Sequence, residues 1–346
     1  NMDERLYPAS ITKVMTALVA LKHSDPSDLV TMTQGGVNQV PRTSSHIALL
    51  PGEEFSMEDA LYALALVSAN DAAVAIAETV GGTVEKFCDM MNEEAVALGA
   101  VNTHFSNPNG LPAEDHYTTA RDMALITAAA LQQEGFLTYF GAKEYVMPAT
   151  NLSASRELVS KNQFIDGTVP CDGLLMSKTG WTSSAWGTLV TAAKQGETTL
   201  VAVTLKSAML EDKYADTAIL LDYGFTAFRR IQLTEGMMMR KMTEQGLEPA
   251  ARLEAYEPIN VLLPIADGLS AVPVSIDAKT EEGDWLHIAD LLLSIEGPQE
   301  EKAELLREEE PGEETQEGLH PGVILLLSMG AMVLAGYWGV KRKEKV

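Results

Sequence analysis

Pro8-Ala9-Ser10-Ile11-Thr12-Lys13 opens an apolar helical pattern over residues 9–22, and the rest of the chain takes its meaning from this stretch. Positions three apart on a helix are nearly one turn apart, so Ser10 and Lys13 face the same side. A serine hydroxyl is a poor nucleophile at its own pKa. A lysine deprived of water loses its proton more easily and can then take the hydroxyl's. The plainer reading is a serine cap followed by a solvated lysine. Ser-x-x-Lys is also expected about once by chance in a chain of this length. The motif gains weight only from its companions further along the chain.

Two more motifs come after it in order. Ser68-Ala69-Asn70 lies between the apolar stretches LYALAL and AAVAIA, where polar side chains are costly to bury unless paired, as they are in a cleft. Its plainer reading is an interhelical turn. A second Ser-x-Asn at Ser160-Lys161-Asn162 sits in a polar stretch, so Ser68 is the preferred candidate. Lys178-Thr179-Gly180 then begins a strand-rich block, and Lys-Thr-Gly is expected by chance in only about one chain in ten. On an edge strand it would offer an ammonium and a hydroxyl to a carboxylate, while Gly180 would allow a close backbone approach.

Other chemistries lack their residues. The chain has 346 residues and a formal charge of −24, from 25 Lys and Arg against 49 Asp and Glu. That balance argues against nucleic acid as a partner, because phosphate recognition is built on cations. No His-Glu-x-x-His or Cys/His cluster, hydrolase elbow, phosphate-binding loop or dinucleotide fingerprint is present, so neither a metal nor a cofactor is expected. Two cysteines, Cys88 and Cys171, leave the redox compartment open.

Helical patterns occupy 57–80, 84–98 and 119–134, and a hairpin is expected from GTLVTAAKQ (187–195) and TTLVAVTLK (198–206) around Gly196-Glu197. A further helix should run from Lys213 to Phe228. Residues 1–228 therefore read as one catalytic domain and 229–298 as a small β-rich domain of short apolar runs. Residues 299–320 form an acidic linker; its core, 299–318, holds nine Glu against one Lys and one Arg. Gly322 to Val340 carries no charge over 19 residues, and Lys341-Arg342-Lys343 comes directly after it. Such a run is long enough to span a bilayer, and the basic tail, 341–346, would stay cytoplasmic. A transmembrane helix at 321–340 is expected, with the catalytic domain on the extracytoplasmic side of the cell membrane.

The order Ser-x-x-Lys, Ser-x-Asn, Lys-Thr-Gly is that of penicillin-binding proteins and class A β-lactamases, although Ala69 stands where the middle motif more often has Asp. PASITKVMTAL, VSANDAA, THFSNPNGLPAEDHYTTARDMA (103–124) and DGLLMSKTGWTSSA resemble the D-alanyl-D-alanine carboxypeptidases of serine peptidase family S11. The resemblance covers about residues 1–227. It departs from the family pattern in starting nine residues before Ser10 and in having Trp186-Gly187 where Ala-Gly is usual.

The resemblance implies an α+β serine β-lactamase/DD-peptidase fold, an antiparallel sheet packed with helices plus a helical subdomain. It implies Ser10 as nucleophile, Lys13 as base and Ser68 as proton relay. Asn70, Lys178, Thr179, Gly180 and Trp181 would bind substrate, with the backbone N–H groups of Ser10 and Trp181 forming the oxyanion hole. The implied substrate is the D-Ala-D-Ala end of a peptidoglycan stem peptide, and β-lactams are the implied covalent inhibitors. His104 and His116 read as structural hydrogen-bonders. Two other functions stay open at this point: a class A-like β-lactamase, and a non-catalytic, membrane-tethered wall-binding protein.

Overall fold

The computed structural model describes residues 1–209 and 211–233 and the strands at 259–264, 271–279, 285–294 and 323–327, with side chains described up to residue 228. A 3-10 turn, Ala9–Thr12, leads into α1 (Lys13–His23). Then come β1 (Leu29–Thr31), α2 (Gln34–Asn38), β2 (Glu54–Ser56), α3 (Met57–Leu66), α4 (Asn70–Gly81) and α5 (Val84–Ala97). They are followed by α6 (Ala120–Gln132), α7 (Phe136–Phe140), β3 (Glu144–Met147), β4 (Arg156–Val159) and α8 (Gln163–Asp166). The block that closes this unit is β5 (Leu174–Thr182), β6 (Trp186–Gln195), β7 (Thr198–Ser207) and α9 (Asp212–Ala227).

Local chemistry explains the helix boundaries. Ser56 and Asp59 form a reciprocal capping box at the start of α3. Thr83 and Thr119 accept from the third backbone N–H of α5 and α6. Between α3 and α4 the helical pattern breaks at Ser68, whose φ is +58°, so the Ser-x-Asn stretch is a turn with Asn70 as the first residue of α4. The expected pattern over 57–80 is thus two helices, divided where the polar motif falls.

α1 is the central element. Val14, Met15, Ala17, Leu18, Val19 and Ala20 are all buried, and the helix packs against α3, α4, α5 and α6. A helix apolar on nearly every side belongs inside a core. The hairpin forms as expected, β6 and β7 pairing antiparallel out to Gln195 and Thr198 across Gly196-Glu197. β5 pairs antiparallel with β6 and is an edge of the four-stranded sheet, whose order is β12 (Val323–Leu327), β7, β6, β5. This mixed architecture, helices packed on an antiparallel β5–β6–β7 sheet, agrees with the expected fold class.

β12 (Val323–Leu327) lies parallel to β7 and comes from the head of the run expected to be a transmembrane helix. Its branched apolar residues suit a strand as well as a helix, and hydrophobicity alone does not separate the two. Among the described residues no helix is long and apolar enough to cross a membrane. The linker, the rest of the apolar run and the basic tail lie outside the described residues.

Two compact units are distinguished. One comprises Asn1–Asp222 joined by β12. The other begins at Tyr223, and its described strands are β8 (Phe228–Leu233) paired antiparallel with β9 (Ile259–Pro264), and β10 (Ala271–Lys279) paired antiparallel with β11 (Trp285–Ser294).

Candidate active site

Ser10 sits in the 3-10 turn just before α1, and Ala9 ahead of it has a φ of +49°. That turn is clamped from two sides. Gly110, at φ +87°, lies so close that a side chain there would overlap the Ala9 carbonyl. Gly180 of β5 approaches from the other side, and a methyl group on it would stand 2.7 Å from the Ser10 nitrogen. The Thr188 hydroxyl donates to the Pro8 carbonyl at 2.8 Å and ties the turn to the sheet. The glycine of Lys-Thr-Gly is therefore what lets the edge strand reach the Ser10 turn.

Lys13 is wholly buried. Its Nζ donates to Ser10 Oγ at 3.1 Å, to Asn70 Oδ1 at 2.7 Å and to the Asn109 carbonyl at 2.6 Å. These partners saturate the ammonium without supplying a counter-charge. Burial holds the Lys13 pKa well below the ordinary lysine range, and the nearby Lys178 pushes the same way, while Asp71 opposes them. A lysine with that environment can exist as the free amine that accepts the Ser10 proton.

Lys178 donates to Ser68 Oγ at 3.0 Å and to the Thr179 carbonyl at 2.8 Å. Burial, reinforced by the charge of Lys213, lowers its pKa to about 7. The structure thus links all three motifs: Lys13 joins Ser10 to Asn70, Lys178 joins Ser68 to the Lys-Thr-Gly strand, and Gly180 abuts Ser10. The side chain of Trp181 is 58% exposed and its backbone follows Gly180 beside the Ser10 nitrogen.

Several residues that shape the site were not singled out from the sequence. Asn109 and Gly110 come from a turn organised by Asn107, whose Oδ1 accepts from the Gly110 N–H at 2.7 Å. Only the Asn/Pro/Gly composition of that segment marks a turn, and nothing local aims it at Ser10. Asp71 accepts from the backbone N–H groups of Ile47 and Leu49 and so holds the 45–49 loop against the Ser-x-Asn turn. Lys213, only 5% exposed, lies at the start of α9 far along the chain. No spacing rule pairs it with Lys178.

Both histidines of the 103–124 stretch make hydrogen bonds to the protein. His116 is buried; its Nδ1 accepts from the Ser106 N–H, which leaves the Nε2 proton for the Thr12 hydroxyl at 2.9 Å. Burial lowers its pKa to about 3, so it is a neutral strut beneath the Ser10 turn. His104 is half-buried and bonds the Asp115 carbonyl. The second Ser-x-Asn is structural: Asn162 caps α8 and donates to Ser177 Oγ at 2.9 Å, steadying the residue before Lys178. Among the described residues no group of three His, Cys, Asp or Glu converges as a metal site requires.

A serine hydroxyl bonded to a desolvated lysine, at the edge of an antiparallel sheet and beside a second buried lysine, is an arrangement that serine–lysine acyl transfer can use. The profile of the D-alanyl-D-alanine carboxypeptidase family matches residues 1–209. The chain is 32% identical over 293 residues to the D-alanyl-D-alanine carboxypeptidase DacF of Bacillus subtilis, an alignment covering 81% of this chain and 72% of that one. It is 34% identical over 242 residues to DacC of Escherichia coli, covering 67% and 58%. A D-alanyl-D-alanine carboxypeptidase structure from Mycobacterium tuberculosis superposes with a TM-score of 0.58 at 27% identity, covering 65% of this chain and 84% of that one. A mutant Streptomyces DD-transpeptidase superposes at 0.60 and 29%, covering 65% and 90%. The chain belongs to the D-alanyl-D-alanine carboxypeptidases, serine peptidase family S11.

Proposed function

We propose that this chain is a penicillin-sensitive serine carboxypeptidase that removes the terminal D-alanine from peptidoglycan stem peptides ending in D-Ala-D-Ala. The observation that carries the reading is the 3.1 Å contact between Ser10 Oγ and the buried Lys13 Nζ. In the free-amine form Lys13 takes the hydroxyl proton as Ser10 Oγ attacks the carbonyl between the two D-alanines. The backbone N–H groups of Ser10 and Trp181 receive the oxyanion, a contribution of about 3–4 kcal/mol per donor. Asn70 holds the substrate amide. Lys13 gives the Ser10 proton up through Ser68, fixed by Lys178, to the departing D-alanine nitrogen, so that Ser68 ends with the hydroxyl it began with. Lys178 and Thr179 hold the terminal carboxylate, and the buried Lys213 adds positive charge beside them. Water then cleaves the Ser10 ester and regenerates the enzyme.

A class A-like β-lactamase activates its deacylating water with a carboxylate. The bonding partners of Lys13 here are Ser10, Asn70 and the Asn109 carbonyl, none of them acidic, which favours a long-lived penicillin adduct. The membrane reading of the C-terminus belongs to the same proposal. The uncharged 322–340 run and the basic tail support an anchor that keeps residues 1–320 extracytoplasmic, at the cell wall. In that state Val323–Leu327 would leave the edge of β7.

One experiment addresses both points: intact mass after mixing with benzylpenicillin, with peptide mapping, on the full chain and on a chain ending at residue 320. A persistent adduct on the Ser10 peptide is expected, along with D-alanine release from a D-Ala-D-Ala peptide. Ser10→Ala abolishes both. Labelling that survives Ser10→Ala refutes the assignment, and rapid penicillin consumption without an adduct would mark a β-lactamase. Only the full chain should co-sediment with lipid vesicles; equal behaviour of the two chains refutes the anchor.

A further inference from the structure

We propose that Asp71 is a positioning residue that sets the strength of Lys13 as a base, by holding a buried carboxylate behind Asn70; this rests on the Ser10 acyl-transfer reading. Asp71 follows Asn70 at the start of α4 and is 4% exposed. Its Oδ2 accepts from the N–H groups of Ile47 at 3.1 Å and Leu49 at 3.0 Å, and its Oδ1 from the Ala72 N–H at 3.0 Å. Ala48, between the first two donors, has a φ of +58°. A left-handed residue between two N–H groups lets both point at one anion, so the 45–49 loop is a nest with the carboxylate seated in it. These donors are all backbone groups, so the carboxylate is held without a cation to cancel its charge.

The same loop fixes Asn70, whose backbone N–H donates to the Ser45 carbonyl at 2.8 Å. Asn70 Oδ1 in turn accepts from Lys13 Nζ at 2.7 Å. Asp71 therefore stands one residue and one hydrogen bond away from the base, and the loop it holds also sets where Asn70 meets that base.

The surroundings of Lys13 explain what a carboxylate does there. Burial, the Lys178 charge and a place at the first residue of α1, the positive end of a helix, all favour the neutral amine. An amine that releases its proton too readily is also a feeble proton acceptor, so activation by these means alone weakens the base. The charged and titratable groups that face Lys13 are Lys178 from β5, Asp71 from α4 and His116, which burial keeps neutral. Asp71 is the one of these that favours the ammonium. Other buried carboxylates are engaged elsewhere: Glu53 with Arg156, Asp59 with Ser56 and Tyr145, and Asp122 with Asn102 and Thr103. Asp71 thus restores basicity that desolvation removes.

The test is the pH profile of Ser10 acylation by benzylpenicillin, followed by intact mass. Asp71→Asn keeps the shape of the side chain and removes its charge. Its acid limb should move to lower pH, because the Lys13 ammonium loses a stabilising charge, while the plateau rate falls roughly three- to tenfold as the base weakens. Asp71→Glu keeps the charge but displaces it, and its acid limb should stay near that of the unaltered protein whatever its plateau. Should Asp71→Asn alone fail to fold, the double variant Asp71→Asn with Ala48→Gly gives the loop a residue that accepts a positive φ without strain, and the same shift is expected. A lowered plateau with the acid limb unmoved would show a purely structural role and overturn the proposal, as would an equal shift in Asp71→Asn and Asp71→Glu. Either result leaves the Ser10 reading intact. If benzylpenicillin does not acylate the unaltered protein at any pH, the Ser10 reading falls and the role of Asp71 falls with it.

Discussion

Three buried lysines set the chemistry at the scale of single residues. Lys13, Lys178 and Lys213 are each less than 6% exposed, and burial lowers the pKa of every one of them. In the proposed mechanism Lys13 acts when neutral, as a base, and Lys178 when charged, as a carboxylate holder. The pH profile of kcat/KM should therefore rise on its acid side as Lys13 loses its proton and fall on its alkaline side as Lys178 does, near pH 7. Lys213→Met removes a like charge from beside Lys178, so the Lys178 pKa rises. The alkaline limb should move to higher pH, while KM for a D-Ala-D-Ala peptide increases roughly tenfold through loss of a cation near the carboxylate. Steady-state kinetics across pH read both effects. An unmoved alkaline limb would mean that Lys213 does not act on Lys178.

At the scale of elements, the site depends on three segments meeting at the turn before α1. β5 contributes its edge, the 107–111 turn contributes the Asn109 carbonyl and Gly110, and the α3–α4 junction contributes Ser68 and Asn70. The glycines set how closely the segments approach. Gly180→Ala puts a methyl 2.7 Å from the Ser10 nitrogen, so β5 or the Ser10 turn must shift. The expected result is a loss of acylation rate of about 10²–10³, the effect of misplacing one oxyanion donor. The far-UV circular dichroism should stay unchanged, since β5 keeps its pairing with β6. Unaltered acylation would show that the two backbones do not jointly form the oxyanion hole. The elements themselves were largely legible. The 3.6-residue pattern marked the major helices, and the Gly196-Glu197 turn between alternating runs marked the hairpin. The β12 pairing was not legible, because an apolar run carries no statement of which edge it will meet.

At the scale of the molecule, the buried titratable groups tie stability to pH. The folded pKa of His116, about 3, lies below its ordinary value of 6.5 because burial disfavours its charged form. The unfolded chain therefore binds the proton first. The stability associated with neutral His116 is complete above pH 6.5 and is lost as pH falls from 6.5 towards 3. Lys178 has the same sign in another window: stability rises from about pH 7 to 10.5, as the unfolded lysine gives up its proton. Melting temperature should accordingly decline steeply below pH 6.5, and His116→Gln should flatten that slope whatever its effect at neutral pH. A slope identical in the variant would place the acid sensitivity elsewhere.

The sequence by itself determined the major helices and the hairpin, because each rests on periodicity or turn chemistry within a few residues, and it placed the three motifs in order and Ser10 and Lys13 on one side of a helix. It also separated Ser68-Ala69-Asn70 from its duplicate at 160–162 by the apolar flanks alone. What only the tertiary structure decided is how the pair is made reactive. The Lys13 pKa is lowered by the water it loses and by the Lys178 charge beside it, and its Nζ is held by Asn70 and by Asn109, 57 and 96 residues away in sequence. Desolvation and the convergence of charges are properties of a packed interior, set by which surfaces meet in space, and no local pattern in the chain records them.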